Sequence, residues 1–173
     1  MRLARSPIVS PICYHVLTKM CSERLHNAMT MVTRDFTATT FVVDQHATLL
    51  LMHRKLQMWL PPGGHIDANE LPHDAALREV YEETGLEVAL HTQPQPLGTV
   101  LHLPQPYCIL LEDIHAGHQH IDFIYFATVV GGSLTPSVRE SQGARWVDWQ
   151  GLAAPDIATD ICTLGRAAIE WYR

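Results

Sequence analysis

Three glutamates near the middle of the chain are spaced so that their carboxylates could act together. Glu79, Glu82 and Glu83 lie in a segment with a helical pattern of apolar residues, and a helix turns by about 100° per residue, so all three share one face. Like charges at these spacings repel each other, and a divalent cation that prefers oxygen ligands would offset the repulsion. The pattern therefore indicates a metal site, although a solvated acidic face is the commoner origin of such a pattern.

The neighbouring arc of the same helix is mostly apolar, which predicts that it packs on a sheet. The residues of this arc are Ala76, Leu77, Val80, Tyr81 and Thr84. Between them stands Arg78, which could pair with Glu82 one turn later or with Glu70 in the preceding loop. We expect one side of the helix to join the core and the other side to carry the chemistry.

Sequence signals on both sides of this helix predict its limits. The run Pro61-Pro62-Gly63-Gly64 indicates a specialised loop, because proline removes backbone donors and glycine reaches conformations closed to other residues. Pro72 suits the first helical turn, Asp74 suits the positive end of the helix dipole, and Gly85 suits a C-terminal stop. We therefore predict a helix over residues 72–84.

Residues 64–86, GHIDANELPHDAALREVYEETGL, fit a known motif. The Nudix box is a glycine, five residues, a glutamate, seven residues and then R-E-U-x-E-E-x-G-U, where U is aliphatic. The matching residues are Gly64, Glu70, Arg78, Glu79, Val80, Glu82, Glu83, Gly85 and Leu86. The chain thus resembles the Nudix hydrolase family. The resemblance implies an α/β (α+β) fold, an α/β/α sandwich with a mixed sheet, and Mg²⁺-dependent hydrolysis, with Mn²⁺ as an alternative ion.

The resemblance also implies roles for individual residues. Glu82 and Glu83 would be metal ligands, Glu79 would be a ligand or the base that activates water, and a backbone carbonyl of Gly63 or Gly64 would be a further ligand. The residues with structural roles in the motif would be Glu70, Arg78 and Gly85. Outside the motif, Glu140 resembles the position of another metal-binding carboxylate, and it is our second choice for the base after Glu79.

The expected reaction is attack of water on one phosphorus of a diphosphate, in a nucleoside diphosphate linked to another moiety. The sequence does not identify this small-molecule substrate. Weak candidates for contact with it are Arg54, Trp59, His120 and Asp122, although an aromatic residue is more often part of the core. The histidines of residues 115–120 suggest a transition-metal site, against the commoner alternative of a solvated hairpin loop.

The remaining segments predict an N-terminal helical extension, 1–35, and a Nudix domain with a C-terminal helix, 36–173. The predicted helices besides 72–84 are 10–31 and 155–171, and the predicted strands are 37–43, 47–52, 97–101, 107–114, 121–130 and 144–147. A tight turn, residues 44–46, should join the first two strands as a pair. Strands surrounding a few helices favour an α/β sandwich.

Composition excludes several classes of protein. The chain has 173 residues, enough for one domain, and its net charge of -6 with a pI near 5.9 argues against nucleic-acid binding. The four cysteines show no CxxC spacing, and no apolar run is long enough for a signal or membrane segment, so we expect a cytoplasmic protein without a membrane partner. A homodimer is a further expectation from the family.

Two other functions are compatible with the same fold. A non-catalytic nucleotide sensor is one, but such modules usually lose glutamates of the box or carry a DNA-binding domain. A diphosphate isomerase resembling isopentenyl-diphosphate isomerase is the other, but that enzyme has a degenerate box and a catalytic cysteine. The chain also lacks the motifs GxxxxGK[ST], GxSxG and HExxH of other enzyme classes.

Overall fold

The computed structural model describes residues 31–172, so the predicted N-terminal helix 10–31 lies outside the described residues except for its last position. The described chain begins with a hairpin of β1 (Thr33–Asp44) and β2 (Ala47–His53). Gln45 and His46 form its turn with φ of 45° and 75°, the left-handed values that suit the twist of a two-residue hairpin. The predicted strand pair is confirmed, and both strands are longer than predicted.

The strands form one mixed sheet and one small hairpin. The other strands are β3 (Trp59–Leu60), β4 (Gly63–His65), β5 (Leu86–Leu90), β6 (Gln95–Leu97), β7 (Val100–His102), β8 (Cys108–His115), β9 (His118–Gly132) and β10 (Ser141–Asp148). The central order is β10-β2-β1-β9-β5, with β3 beside β2, β4 beside β1 and β8 beside β9. Only β1 and β9 pair in parallel among the described strands, so the sheet is mixed, as predicted.

Two helices cover opposite faces of the sheet, because successive residues of β1 and β9 point to opposite sides. Helix α1 (Pro72–Thr84) packs on the face that includes Ala38 and Tyr125. Helix α2 (Thr159–Trp171) packs on the face that includes Phe41 and Ile124. The predicted α/β/α sandwich is confirmed.

Helix α1 has the predicted limits, and its end is fixed by backbone geometry. Gly85 has φ of 71°, and its N–H donates to the carbonyl of Tyr81, which closes the helix in the left-handed conformation that glycine adopts without steric cost. The prediction that Tyr81 packs on the sheet is wrong, since this residue is 59% exposed. Glu83 is buried instead, so the boundary between the core face and the charged face passes through the glutamates.

The structure differs from the predictions in other places, and β3, β4 and β5 were not predicted as strands. Residues 97–101 do not form one strand, because Gly98, with φ of 61°, turns the chain between β6 and β7. Strand β5 follows α1 directly and was not predicted. Gly85, just before it, signals the end of a helix, and this signal does not indicate pairing with β9. Helix α2 starts at Thr159, after a 3₁₀ turn at Gly151–Ala153.

No helix of residues 31–172 is both long enough and apolar enough to cross a membrane.

Candidate active site

The two glycines of β4 bring the glutamate helix against the sheet. A side chain at Gly63 would meet the carbonyl oxygen of Ala38 at 2.7 Å, and a side chain at Gly64 would meet the Glu79 carboxylate at 2.5 Å. The N–H of Gly63 donates to Oε2 of Glu83 at 3.0 Å. Glycine at both positions therefore allows the backbone to approach Glu79 and Glu83 without a steric clash.

Arg78 connects the loop before the helix to the helix itself. Its guanidinium donates to both carboxylate oxygens of Glu70, each at 2.8 Å, and to the carbonyl of His65 at 3.0 Å. It also contacts Glu79 at 2.7 Å and Glu82 at 3.3 Å. The pKa of Glu70 is lowered, mainly by its hydrogen bond with Arg78, and the pKa of Arg78 is raised, mainly by Glu70. Both pairs that the sequence suggested are present.

Glu83 and Glu140 form the least compensated part of the site. Glu83 is 7% exposed, and burial together with hydrogen bonding to the Glu140 carboxyl raises the pKa of Glu83 to about 8. The loop that carries Glu140 is fixed by Arg54, whose backbone N–H donates to the Glu140 carbonyl at 2.8 Å and whose guanidinium donates to the Val138 carbonyl at 2.7 Å. The two carboxyl groups are thus held near each other, and neither forms a salt bridge with an arginine or lysine in the described part of the chain.

Glu79 and Glu82 differ from Glu83 in their surroundings. The Glu79 side chain is 13% exposed, and burial raises its pKa against the opposing influence of Arg78. The Glu82 side chain is 59% exposed. No three of Glu79, Glu82, Glu83 and Glu140 offer ligand oxygens that all lie within 4.8 Å of one another, so one ion could contact all of them only after side-chain movement. Electrostatic contact between Glu79 and both Glu82 and Glu140 still joins them into one acidic group.

A cavity of about 350 Å³ lies beside this acidic group, between the sheet and α2, and its volume is that of a small-ligand site. Polar residues that line it include Glu83, Glu140, His120, Asp122, Glu112 and Asp160. Apolar residues that line it include Phe41, Leu51, Ile124 and Ile161. Gly63 and Gly64 also line it, so the cavity reaches from the glutamate pair to the start of β9.

A second group of carboxylates lies on the sheet side of the cavity. Asp122 is 4% exposed and accepts a hydrogen bond from Thr37 Oγ1 at 3.0 Å, while burial raises its pKa. Burial, then the charges of Asp122 and Asp160, raise the pKa of Glu112 on β8. Sequence reasoning missed Glu112 and Asp160. The alternation of β8 could have placed Glu112 on this face, whereas Asp160 requires the position of α2.

The other proposed substrate contacts lie in different places. His120 and Asp122 line the cavity from the same face of β9. Trp59 is not among the residues that line it, and the guanidinium of Arg145 lies over its ring at 4.0 Å from the centroid. Arg54 holds the loop of Glu140 and does not line the cavity.

Both a family model and the sequences of individual proteins match this chain. The family model described as NUDIX domain matches residues 33–162. A Bacillus subtilis protein named putative 8-oxo-dGTP diphosphatase is 32% identical over 111 residues, which cover 64% of each chain. The m7GpppN-mRNA hydrolase NUDT17 of Danio rerio is 53% identical over 102 residues, which cover 53% of this chain and 32% of that protein. The chain therefore spans less than two thirds of these relatives.

A solved structure agrees with the sequence matches. A NUDIX-family hydrolase from Clostridium perfringens superposes with a TM-score of 0.72 at 33% identity. The match covers 82% of this chain and 100% of that chain.

Proposed function

The chain belongs to the NUDIX domain family, and from this premise we propose that it hydrolyses a diphosphate bond in a nucleotide-type substrate with the aid of Mg²⁺. Nudix hydrolases generally use divalent metal ions. The observation that carries the proposal is the pair of buried Glu83 and exposed Glu140 at the edge of a cavity, where neither carboxyl group forms a salt bridge with an arginine or lysine of residues 31–172.

The donor atoms of this group fit Mg²⁺. All are oxygens, the ligand type that Mg²⁺ prefers, and the proton that burial retains on Glu83 would leave when a cation favours the ionised form. The residues that would hold the ion are Glu79, Glu82, Glu83 and Glu140, with a backbone carbonyl of Gly63 or Gly64. When bound, the ion supplies positive charge to the phosphoryl oxygens and lowers the pKa of water.

The residues of the chain position and activate the water. Attack forms a bond from the water oxygen to phosphorus and breaks the bond to the bridging oxygen, which leaves with one half of the substrate. Glu79 accepts the water's proton, because its burial raises its pKa toward the value a base needs while Arg78 holds its carboxylate in place. Glu140 is the second choice for this role, since it lines the same cavity.

The cavity favours a nucleobase that presents N–H donors. Asp122 and Glu112 offer acceptor oxygens beside an apolar wall, and each carboxyl could bind an N–H edge of a base. Guanine has two such donors on one edge. The relatives' printed names, an 8-oxo-dGTP diphosphatase and an m7GpppN-mRNA hydrolase, also name guanine nucleotides. We therefore propose a guanine nucleotide as the substrate class.

Phosphate release from a panel of substrates tests the proposal. The panel contains guanine and adenine triphosphates, oxidised dGTP, capped dinucleotides, dinucleoside polyphosphates and ADP-ribose, each with and without Mg²⁺. We expect Mg²⁺-dependent turnover that is fastest for a guanine nucleotide. Turnover of adenine substrates alone would overturn the base assignment, and binding of nucleotides without turnover of any would favour the sensor function.

A further inference from the structure

A second group of potential metal ligands arises from strand register, and one of its members, His120, also lines the cavity. Strands β1 and β9 run in parallel with Asp35 opposite His120 and Thr33 opposite His118. Strand β4 pairs with β1 so that His65 lies opposite Thr37. Because side chains two residues apart share a sheet face, these pairings bring Asp35, His118 and His120 together.

The distances in this group suit a metal ion better than hydrogen bonds. Nitrogen and oxygen atoms of Asp35, His118 and His120 all lie within 4.8 Å of one another, which is true of no other such group among residues 31–172. Asp35 Oδ2 is 3.6 Å from His118 Nε2 and 3.5 Å from His65 Nε2. These separations exceed hydrogen-bond lengths, but ligands about 2.0–2.2 Å from a tetrahedral ion lie roughly 3.4 Å apart.

One ring nitrogen of His118 has an oxygen partner at hydrogen-bond distance, as the second ring nitrogen of a metal-binding histidine usually does. His118 Nδ1 lies 2.8 Å from Thr33 Oγ1, and Nε2 faces Asp35. A histidine ligand usually donates its other N–H to an oxygen, which fixes the ring orientation and the tautomer. The His118 side chain is only 16% exposed, so its ring is held in this orientation by its surroundings.

Simple pairing of charges does not account for the group. The ring of His120 lies 5.0 Å from that of His65 and 5.2 Å from that of His118, so three imidazoles surround one carboxylate. Even with Asp122, whose charge also acts on His120, two carboxylates cannot neutralise three imidazolium groups. Neutral imidazoles, by contrast, are common ligands of transition metals.

We propose that Asp35, His118 and His120 bind one transition-metal dication of the Zn²⁺ class, with His65 or water as the fourth ligand. Nitrogen ligands distinguish this site from the group around Glu83, whose donors are all oxygen. The ion would join the starts of β1 and β9, and through His65 it would also join β4. His65 and His120 also line the cavity, so the site adjoins it, and the site is independent of the proposed hydrolysis.

Metal binding by the full chain tests the proposal. Equilibrium dialysis with Zn²⁺ in excess Mg²⁺ and the visible spectrum with Co²⁺ report affinity and geometry separately. The test variant is H118Q/H120Q, and the matched control is H115Q, because His115 stacks on His118 at 5.0 Å but does not belong to the ligand group. E83Q controls for binding at the glutamates.

We expect wild type, H115Q and E83Q to bind Zn²⁺ with equal affinity and to give an intense tetrahedral Co²⁺ spectrum. H118Q/H120Q should lose at least about 100-fold in Zn²⁺ affinity, more than the loss of an outer-shell partner. Equal Zn²⁺ binding by H118Q/H120Q would overturn the proposal, since the ion would then use other residues, for example the cysteines and histidines before residue 31. Loss of binding in E83Q, or no binding by wild type, would also overturn it.

Discussion

Two groups of glutamates, one around Arg78 and the other formed by Glu83 and Glu140, differ in how their charges are compensated. Glu70 and Glu79 contact Arg78 at 2.7–2.8 Å, so their charges hold the loop against the helix. Glu83 and Glu140 lie in the cavity with each other as neighbours, and the pKa of Glu83 rises to about 8. The same residue type therefore stabilises the fold in one group and, in the other, provides carboxyl groups that could exchange a proton for a cation.

Glu79 interacts with both groups, through its salt bridge with Arg78 and its electrostatic contact with Glu140, so its substitution gives the largest expected effect. Glu79→Gln keeps the size of the side chain but cannot accept a proton, and we expect kcat to fall by about 10²–10⁴, with a loss of stability limited to the one ion pair with Arg78. Steady-state kinetics and thermal unfolding measure the two effects. Turnover close to that of wild type would remove Glu79 from the mechanism and shift the role of base to Glu140.

Substitutions at the paired glycines test the placement of Glu79, the proposed catalytic group, separately from the stability of the fold. The three atoms nearest to a methyl group at Gly64 all belong to the Glu79 carboxylate, so Gly64→Ala should lower kcat/KM by about 10–100-fold through displaced geometry. A methyl group at Gly63 meets the backbone of Ala38, so Gly63→Ala should lower the free energy of unfolding by about 1–3 kcal/mol.

The control for the glycine variants is Gly143→Ala, since nothing lies within 4 Å of a side chain at that position. Kinetics and denaturant unfolding on all three variants make the comparison. An unchanged kcat/KM in Gly64→Ala would contradict the role of that glycine in placing Glu79.

The group of glutamates around Arg78 is tested by Arg78→Lys. Lysine keeps the charge but cannot hold both oxygens of Glu70 and also reach Glu79, so we expect a loss of about 1–3 kcal/mol in the free energy of unfolding. Denaturant unfolding measures it, with Arg139→Lys, an exposed arginine, as the matched control. Equal losses in both variants would mean that Arg78 contributes only net charge.

The raised pKa of Glu83 in the second group predicts that stability depends on pH. The pKa of Glu83 is higher in the folded protein, about 8, than in the unfolded chain, so the folded state binds more protons between these values. Stability of the metal-free protein should therefore fall as the pH rises from about 4.5 to about 8. Thermal unfolding in chelator measures this slope, and Glu83→Gln should reduce it. An unchanged slope in that variant would assign it to other groups.

Sequence patterns predicted the parts of the molecule that depend on local spacing. Helix α1 has the predicted limits because proline at its start and glycine at its end act on their own backbone. The turn before β2 was predicted for the same reason. In contrast, β5 depends on pairing with the distant β9, and nothing within its five residues indicates that partner.

The candidate site, too, was predictable only where it depends on local spacing. The motif identified the glutamates of α1, but it did not indicate that Glu83 would be buried or that Arg78 would contact Glu70, Glu79 and Glu82 together. The approach of Asp35 to His120 comes from a parallel register between strands far apart in sequence. Such contacts become visible only when the sheet order is known.

The central claim is that the buried carboxyl group of Glu83 exchanges its proton for a divalent cation. Calorimetric titration of Mg²⁺ at pH 7, repeated in buffers with different ionisation enthalpies, counts the protons released on binding. The account predicts that wild type releases a proton as Mg²⁺ binds, whereas Glu83→Gln binds Mg²⁺ more weakly and releases none. Equal affinity and equal proton release in the two proteins would contradict it.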